Sequence, residues 1–442
     1  MPSGEIFLRQ PLRLLIQGAR RRPWQVLLVL GVLAILGLGW AFLGPQVRAY
    51  YYYRAAQRSL AQGDLLQGRE YLDRCLEGWS GRVDVHLLAA QIARRCDAYE
   101  DADRHLAICE ELQSVTPASA LERAMLKAQQ GEVAGVEAQL KSLAAAQDQP
   151  ERALILEALA KGYMSIYRHA DALACLHSLV QQEPQNANAY FLRGKALEKL
   201  ERDEDALQDY QNALNLTPGS LEVRIALAAT LARLGRIREA IAHYEQLRPE
   251  QPANADVIVG LAHCRHDNHE LGAAEQLLDT FLLQQPQSVS ALLEHGRLML
   301  HLGQAAKAEG WLRQAAALAP ENEDVFYGLH LALRAQGKDA AAEECQAQLR
   351  KIEVETAREF TLMARIQETP HDAALRYEIG MIFMRRGQTQ EALRWLSGAL
   401  QEDPRHRPTH AALADYFQRT GQPGPAARHR KWLDQGGGGS SG

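Results

Sequence analysis

Between residues 187 and 218 the chain carries two short apolar faces separated by a polar break. Tyr190, Gly194 and Leu197 fall at intervals of four and three, and Ala206, Tyr210 and Ala213 repeat them. That spacing places side chains on one side of a helix, so the stretch predicts two amphipathic helices. Pro218 then marks the end of the second, because proline lacks an N–H and suits the position just past a helix. The arrangement recurs. Pro150, Pro184, Pro218, Pro252, Pro286 and Pro320 stand 34 residues apart, and Pro370 and Pro404 renew the interval after a step of 50. Leu227, Ala228, Leu231, Ala240 and Tyr244 fill the matching slots of the next unit, and Leu261, Ala262, Ala274 and Leu278 those of the one after. Leu292, Gly296, Ala308, Leu312 and Ala315 follow, and Gly380, Phe383, Ala392, Leu396 and Ala399 close the series. A fixed period of about 20–50 residues marks stacked repeats, each hairpin being covered by its neighbours.

The pattern loosens towards both ends. Units starting near Ala49, Val83 and Ser119 put Gly68, Ala102 and Ala138 where Ala206 stands, and the segment after Pro404 offers Ala414, Phe417 and Ala426. The excess within the step of 50 lies between Ala340 and Pro370. There Leu349, Ile352, Phe360, Met363 and Ile366 keep helical spacing, which predicts a second helix that runs on. Trp24–Leu43 is a charge-free apolar run preceded by Arg9, Arg13, Arg20, Arg21 and Arg22. At about 1.5 Å per residue it is long enough for a bilayer core. The expectation is a single-pass membrane protein with a cytoplasmic N-terminus and the repeats on the opposite side, periplasmic in a bacterium. A cleaved signal peptide is the alternative reading of the same run. The expected organisation is a basic segment 1–23, a transmembrane helix 24–43 and degenerate repeats 49–152. A regular array 153–356, a helical extension 357–372, final units 373–435 and an appended linker 436–442 complete it.

The 34-residue unit resembles the tetratricopeptide repeat (TPR). With Pro218 at position 32, Tyr190, Gly194, Leu197, Ala206, Tyr210 and Ala213 occupy positions 4, 8, 11, 20, 24 and 27 of that pattern, while Arg193 at position 7 departs from it. The resemblance implies an all-α, right-handed superhelix of about eleven helical hairpins, with a concave groove lined by the first helix of each unit. Positions that face such a groove hold Phe191, Lys195, Lys199, Arg233, His263, His266, Arg297, His301, Tyr327, Arg334, Tyr377 and Arg385. Aromatic rings with Lys and Arg suit an extended or acidic peptide. The implied role is a membrane-anchored scaffold that recruits or assembles proteins of the cell envelope. The family's clamp for a C-terminal carboxylate does not fit, since Phe191 and Lys195 stand in its first two slots.

Composition narrows the chemistry. A formal net charge of −5 from 49 basic and 54 acidic side chains gives no basic stripe for nucleic acid. No phosphate loop, zincin, nucleophile-elbow or kinase motif is present, so no enzymatic activity and no cofactor is expected. The run HCRHDNH offers His263 and His266 on one helical face, with His301 one unit on and His269 in the turn. That supports a rival reading as a metal- or haem-handling protein, although spacing along the chain fixes no carboxylate beside them. Self-stacking of end repeats into a homo-oligomer is a further alternative. The six cysteines form no CxxC; Cys75 and Cys109 fall on inward faces, and a Cys96–Cys109 disulfide would fit an oxidising compartment.

Overall fold

The structure, a computed structural model, describes residues 44–435 apart from 62, 113–114, 147–148, 370 and 387. Trp24–Leu43, the basic segment before it, Pro370 and the Gly436–Gly442 tail therefore lie outside the described residues. All regular structure among those residues is helical, from a helix over 44–61 to the last, Pro423–Gln435.

Local chemistry sets the period. Asn186, Ser220, Asn254 and Asn322 each accept a hydrogen bond from the backbone N–H of the helix they precede, and Asp372 does so at the shifted interval. Such a cap contributes about 1 kcal/mol. The inner turn of each hairpin closes on a left-handed residue: Glu201, Gly235, His269, Gly303 and Gly337, again 34 apart. The next N–H then reaches back five residues, as in Arg202 to Leu197 and Gln304 to Met299, which satisfies the orphan carbonyls of the helix end. At the outer end Thr217 donates to Ala213 and Ala319 to Ala315, each one residue before its proline.

The chain forms two compact units, one ending at Leu126 and one beginning at Lys127. In the first, Ala49, Ala56, Leu72, Cys75, Trp79, Val85 and Ile92 make one core, and Ala90, Ala93, Ala102 and Leu106 a second. Arg94 and Glu122 form an ion pair there with both side chains only 2% exposed. Cys75 and Cys109 are buried and donate to the carbonyls of Ala49 and Val83; none of the six cysteines is in a disulfide, so the Cys96–Cys109 bridge is not formed.

In the second unit the small residue at position 8 receives the large one at position 24 of the same hairpin. A Cβ on Gly194 would lie 2.5 Å from the Tyr210 ring, and one on Gly296 would lie 2.5 Å from Leu312 Cγ. Arg193, the departure at position 7, is held by two 2.7 Å bonds to the buried carboxylate of Asp209 on the partner helix. The hairpin before the regular array is looser. Its second helix, Glu137–Ala145, begins after a long turn, so Ala138 is exposed while Val133, Val136 and Leu140 are buried. The excess near residue 354 becomes one continuous helix, Asp339–Glu368. Ala342, Cys345, Leu349 and Ile352 bury its first half, and Leu362 and Ile366 its second; Phe360 points outward, 76% exposed. The second half shares a core with Ile379, Phe383 and Trp395, against which Tyr167 packs, its ring 5.9 Å from that of Trp395.

The expectation of a single-pass membrane protein is corrected. Among the described residues no helix is long and apolar enough to cross a membrane. The longest, Asp339–Glu368, carries acids and bases along its whole length, from Glu343 and Glu344 through Arg350 and Lys351 to Arg365. Each charge at a bilayer centre would cost a few kcal/mol.

Candidate functional site

Successive first helices lie side by side, and the face they share concentrates titratable side chains at one place. Helix Ala255–Asp267 supplies His263 and His266, one turn apart. Helix Val289–His301 supplies Glu294 and, two turns on, His301. Both Nδ1 atoms, of His263 and of His266, stand 3.2 Å from the same Glu294 oxygen, Oε1. The remaining nitrogens are also engaged. His266 Nε2 is 2.7 Å from His301 Nδ1, and His263 Nε2 is 3.6 Å from an Asp267 oxygen. Arg297 approaches the other Glu294 oxygen, Oε2, at 3.9 Å.

Burial grades across the group. Glu294 is enclosed, His266 nearly so, and His263 is about half exposed, so the cluster opens to solvent on one side. Burial pushes the Glu294 carboxyl up, but hydrogen bonds from the two imidazoles outweigh it and hold the group below its ordinary range. The bond to Glu294 raises His263 against the opposing effect of burial. His269 sits in the turn as the spacing predicts, at φ +63. Glu294 is the member that spacing along the chain does not reveal, although it occupies position 6 of its unit, a groove position.

Elsewhere the structure separates the groove residues. Phe191 lies in the core, its ring 5.9 Å from that of Tyr210, with Lys195 Nζ 5.2 Å from its face. Arg233 is tied to Asp203 and Glu198, and Glu198 in turn accepts from Tyr210 and Thr230. Arg297 pairs with Asp324 at 2.9 Å and Arg334 with Asp339 at 2.8 Å. Tyr377 packs on His406, while Lys199 and Arg385 are exposed. Tyr327 and Leu331, one turn apart on Glu323–Ala335, remain 55% and 41% exposed.

Two tetratricopeptide-repeat family models match, one over residues 204–253 and 231–296, the other over 158–220 and 355–406. No curated protein matches the chain. Among solved structures, PilW, a widely conserved type IV pilus biogenesis factor, is 25% identical over 45% of this chain and 92% of its own, with a TM-score of 0.41. A tetratricopeptide repeat protein from Parabacteroides merdae is 15% identical over 65% of this chain and 99% of its own, with a TM-score of 0.36. The human IFIT1 dimer with m7Gppp-AAAA is 14% identical over 80% and 90%, with a TM-score of 0.40. The capped helical hairpins, the packing of position 8 on position 24 and the two family models agree: the matched residues of this chain are tetratricopeptide repeats.

Proposed function

We propose that the chain is a protein-interaction scaffold that takes an extended segment of a partner against the first helices of its units. The observation that carries this reading is the exposed pair Tyr327 and Leu331, at positions 5 and 9 of one repeat. Two apolar side chains one helical turn apart, rimmed by the ion-paired Arg297 and Arg334, offer a partner side chain a place to bury. The arginines already have carboxylate partners, so apolar contact rather than net charge is the expected source of affinity.

A displayed peptide library selected against the full chain tests this. Peptides enriched on the wild type are expected to be lost on a Tyr327→Ser/Leu331→Ser variant. They are expected to survive a Lys195→Glu/Lys199→Glu variant with only a modest fall. Enrichment that is indifferent to the first variant places binding elsewhere and defeats the reading.

A further inference from the structure

We propose that His263, His266 and Glu294 form a binding site for a divalent transition-metal ion of the zinc class, with His301 holding the His266 imidazole in register. One ligand atom from each of the three residues comes within 4.8 Å of the others, and Nδ1 of each histidine with Oε1 of Glu294 is the set the hydrogen bonds bring together. The spacing suits the ion. Zinc bonds nitrogen and carboxylate oxygen at about 2.0–2.1 Å, which sets neighbouring ligands of a tetrahedron roughly 3.3 Å apart. Both histidine nitrogens stand 3.2 Å from Glu294 Oε1.

The surroundings are those a metal centre needs. A ligating imidazole ordinarily donates its other N–H to a fixed acceptor, which sets tautomer and ring orientation. His266 has such a partner in His301 Nδ1 at 2.7 Å; for His263 the Asp267 carboxylate lies near Nε2, at 3.6 Å, without a hydrogen bond. Binding moves the proton of each neutral ring from Nδ1 to Nε2, where it faces those acceptors. Arg297 lies nearer Glu294 Oε2 and leaves Oε1 to the ion. Two imidazoles and one carboxylate make a three-sided set whose remaining coordination position falls on the solvent side, beside the half-exposed His263.

Among the described residues the other two histidine–histidine contacts lack these features. In His86–His105 and in His410–His429 one ring commits Nε2 to a backbone carbonyl, of Ser80 and of Pro404. In each pair the two rings meet through Nδ1, with no carboxylate among the hydrogen-bond partners.

Titration of the full, chelator-treated chain with ZnCl2 by calorimetry tests the site, and Co2+ serves as a spectroscopic probe. One equivalent of Zn2+ is expected to bind, and bound Co2+ to show the intense visible bands of a low-coordinate site. Glu294→Gln keeps the side-chain shape but replaces the anionic ligand, and His263→Gln removes a half-exposed one. Each is expected to abolish the stoichiometric event with the far-ultraviolet circular dichroism unchanged. His301→Ala, one shell out, is expected to weaken Zn2+ about 10–100-fold while one equivalent still binds. No binding by the wild type, or one equivalent that survives both His263→Gln and Glu294→Gln, overturns the proposal.

Discussion

Replacing Gly296 by alanine separates two effects that oppose each other inside a helix. Alanine favours the helix over glycine by about 1 kcal/mol, so the exchange alone is stabilising. At Gly296, however, the added Cβ would stand 2.5 Å from Leu312 Cγ, 2.7 Å from Cδ2 and 3.1 Å from Cδ1. Carbon atoms rest at about 3.5–4.0 Å, so roughly 1 Å must open between the two helices. Leu312 has nowhere to retreat. It is fully buried, and it already lies against Gly328 of the next unit, close enough that a Cβ built there would fall 3.1 Å from its Cδ2. Overpacking of this kind costs about 1–3 kcal/mol, which leaves a net loss of up to about 2 kcal/mol. Gly310, exposed on the helix that carries Leu312, has nothing within 4 Å of its would-be Cβ, so Gly310→Ala is expected to stabilise by about 0.5–1 kcal/mol. Urea unfolding followed by circular dichroism gives the two signs. Hydrogen exchange over residues 289–318 assigns them locally, since repeat arrays need not unfold in one step. A Gly296→Ala variant that gains as much as Gly310→Ala would falsify the account of position 8.

Glu122→Gln withdraws the charge facing Arg94 in a site where both side chains are 2% exposed, and is expected to cost about 3–5 kcal/mol in thermal unfolding. A loss under about 1 kcal/mol would mean that the pair is in effect solvated. Glu201→Gly relieves a left-handed residue at φ +58, where the equivalent turns use Gly235, Gly303 and Gly337. It is expected to raise stability by up to about 1 kcal/mol, and a destabilised variant would show that the turn is unstrained. Burial lowers the pKa of His105, with His86 and Arg104 adding to the effect against Asp101 and Asp73; burial likewise lowers His429, with His410 and Arg428 adding to it. Their neutral forms support the fold above the unfolded histidine pKa near 6.5, and that support is lost as pH falls through the depressed folded values. Glu137, held at about 2, loses its contribution only in stronger acid. Melting temperature should therefore fall as pH drops below about 6.5, and less so in His105→Gln; identical profiles for variant and wild type would exclude the pair as the source.

The hairpins are legible because each is specified locally. Pro218, Pro252, Pro286 and Pro320 punctuate helix ends, and Asn186, Ser220, Asn254 and Asn322 stand two residues past a proline as caps. What sequence leaves unread depends on distant packing. The helical spacing of Leu349, Ile352 and Ile366 announces the long helix, but Phe360 shares that spacing and points outward. Nothing local announces that Tyr167, left-handed at φ +62, stacks on Trp395, more than two hundred residues later. A bulky residue in that backbone region is strained, and its ring contact with Trp395 and the core beside it provides the compensation.

The histidine cluster is hidden for a different reason. Metal-ligand motifs are read along one helix, where His263 and His266 are visible at three residues' spacing and no carboxylate is fixed beside them. In a stacked-repeat protein the neighbour of a groove residue is about one period away, on the next unit. His263 and Glu294 are 31 residues apart, His266 and Glu294 28, and His266 and His301 35, all close to the 34-residue repeat. Written along the chain these are unrelated residues. Written as positions 9 and 12 of one unit against 6 and 13 of the next, they lie on adjoining stripes of the same face. The repeat that hides a site from a motif search therefore also gives the rule for finding it: compare groove positions between consecutive units, and look for a buried acid opposite a pair of imidazoles.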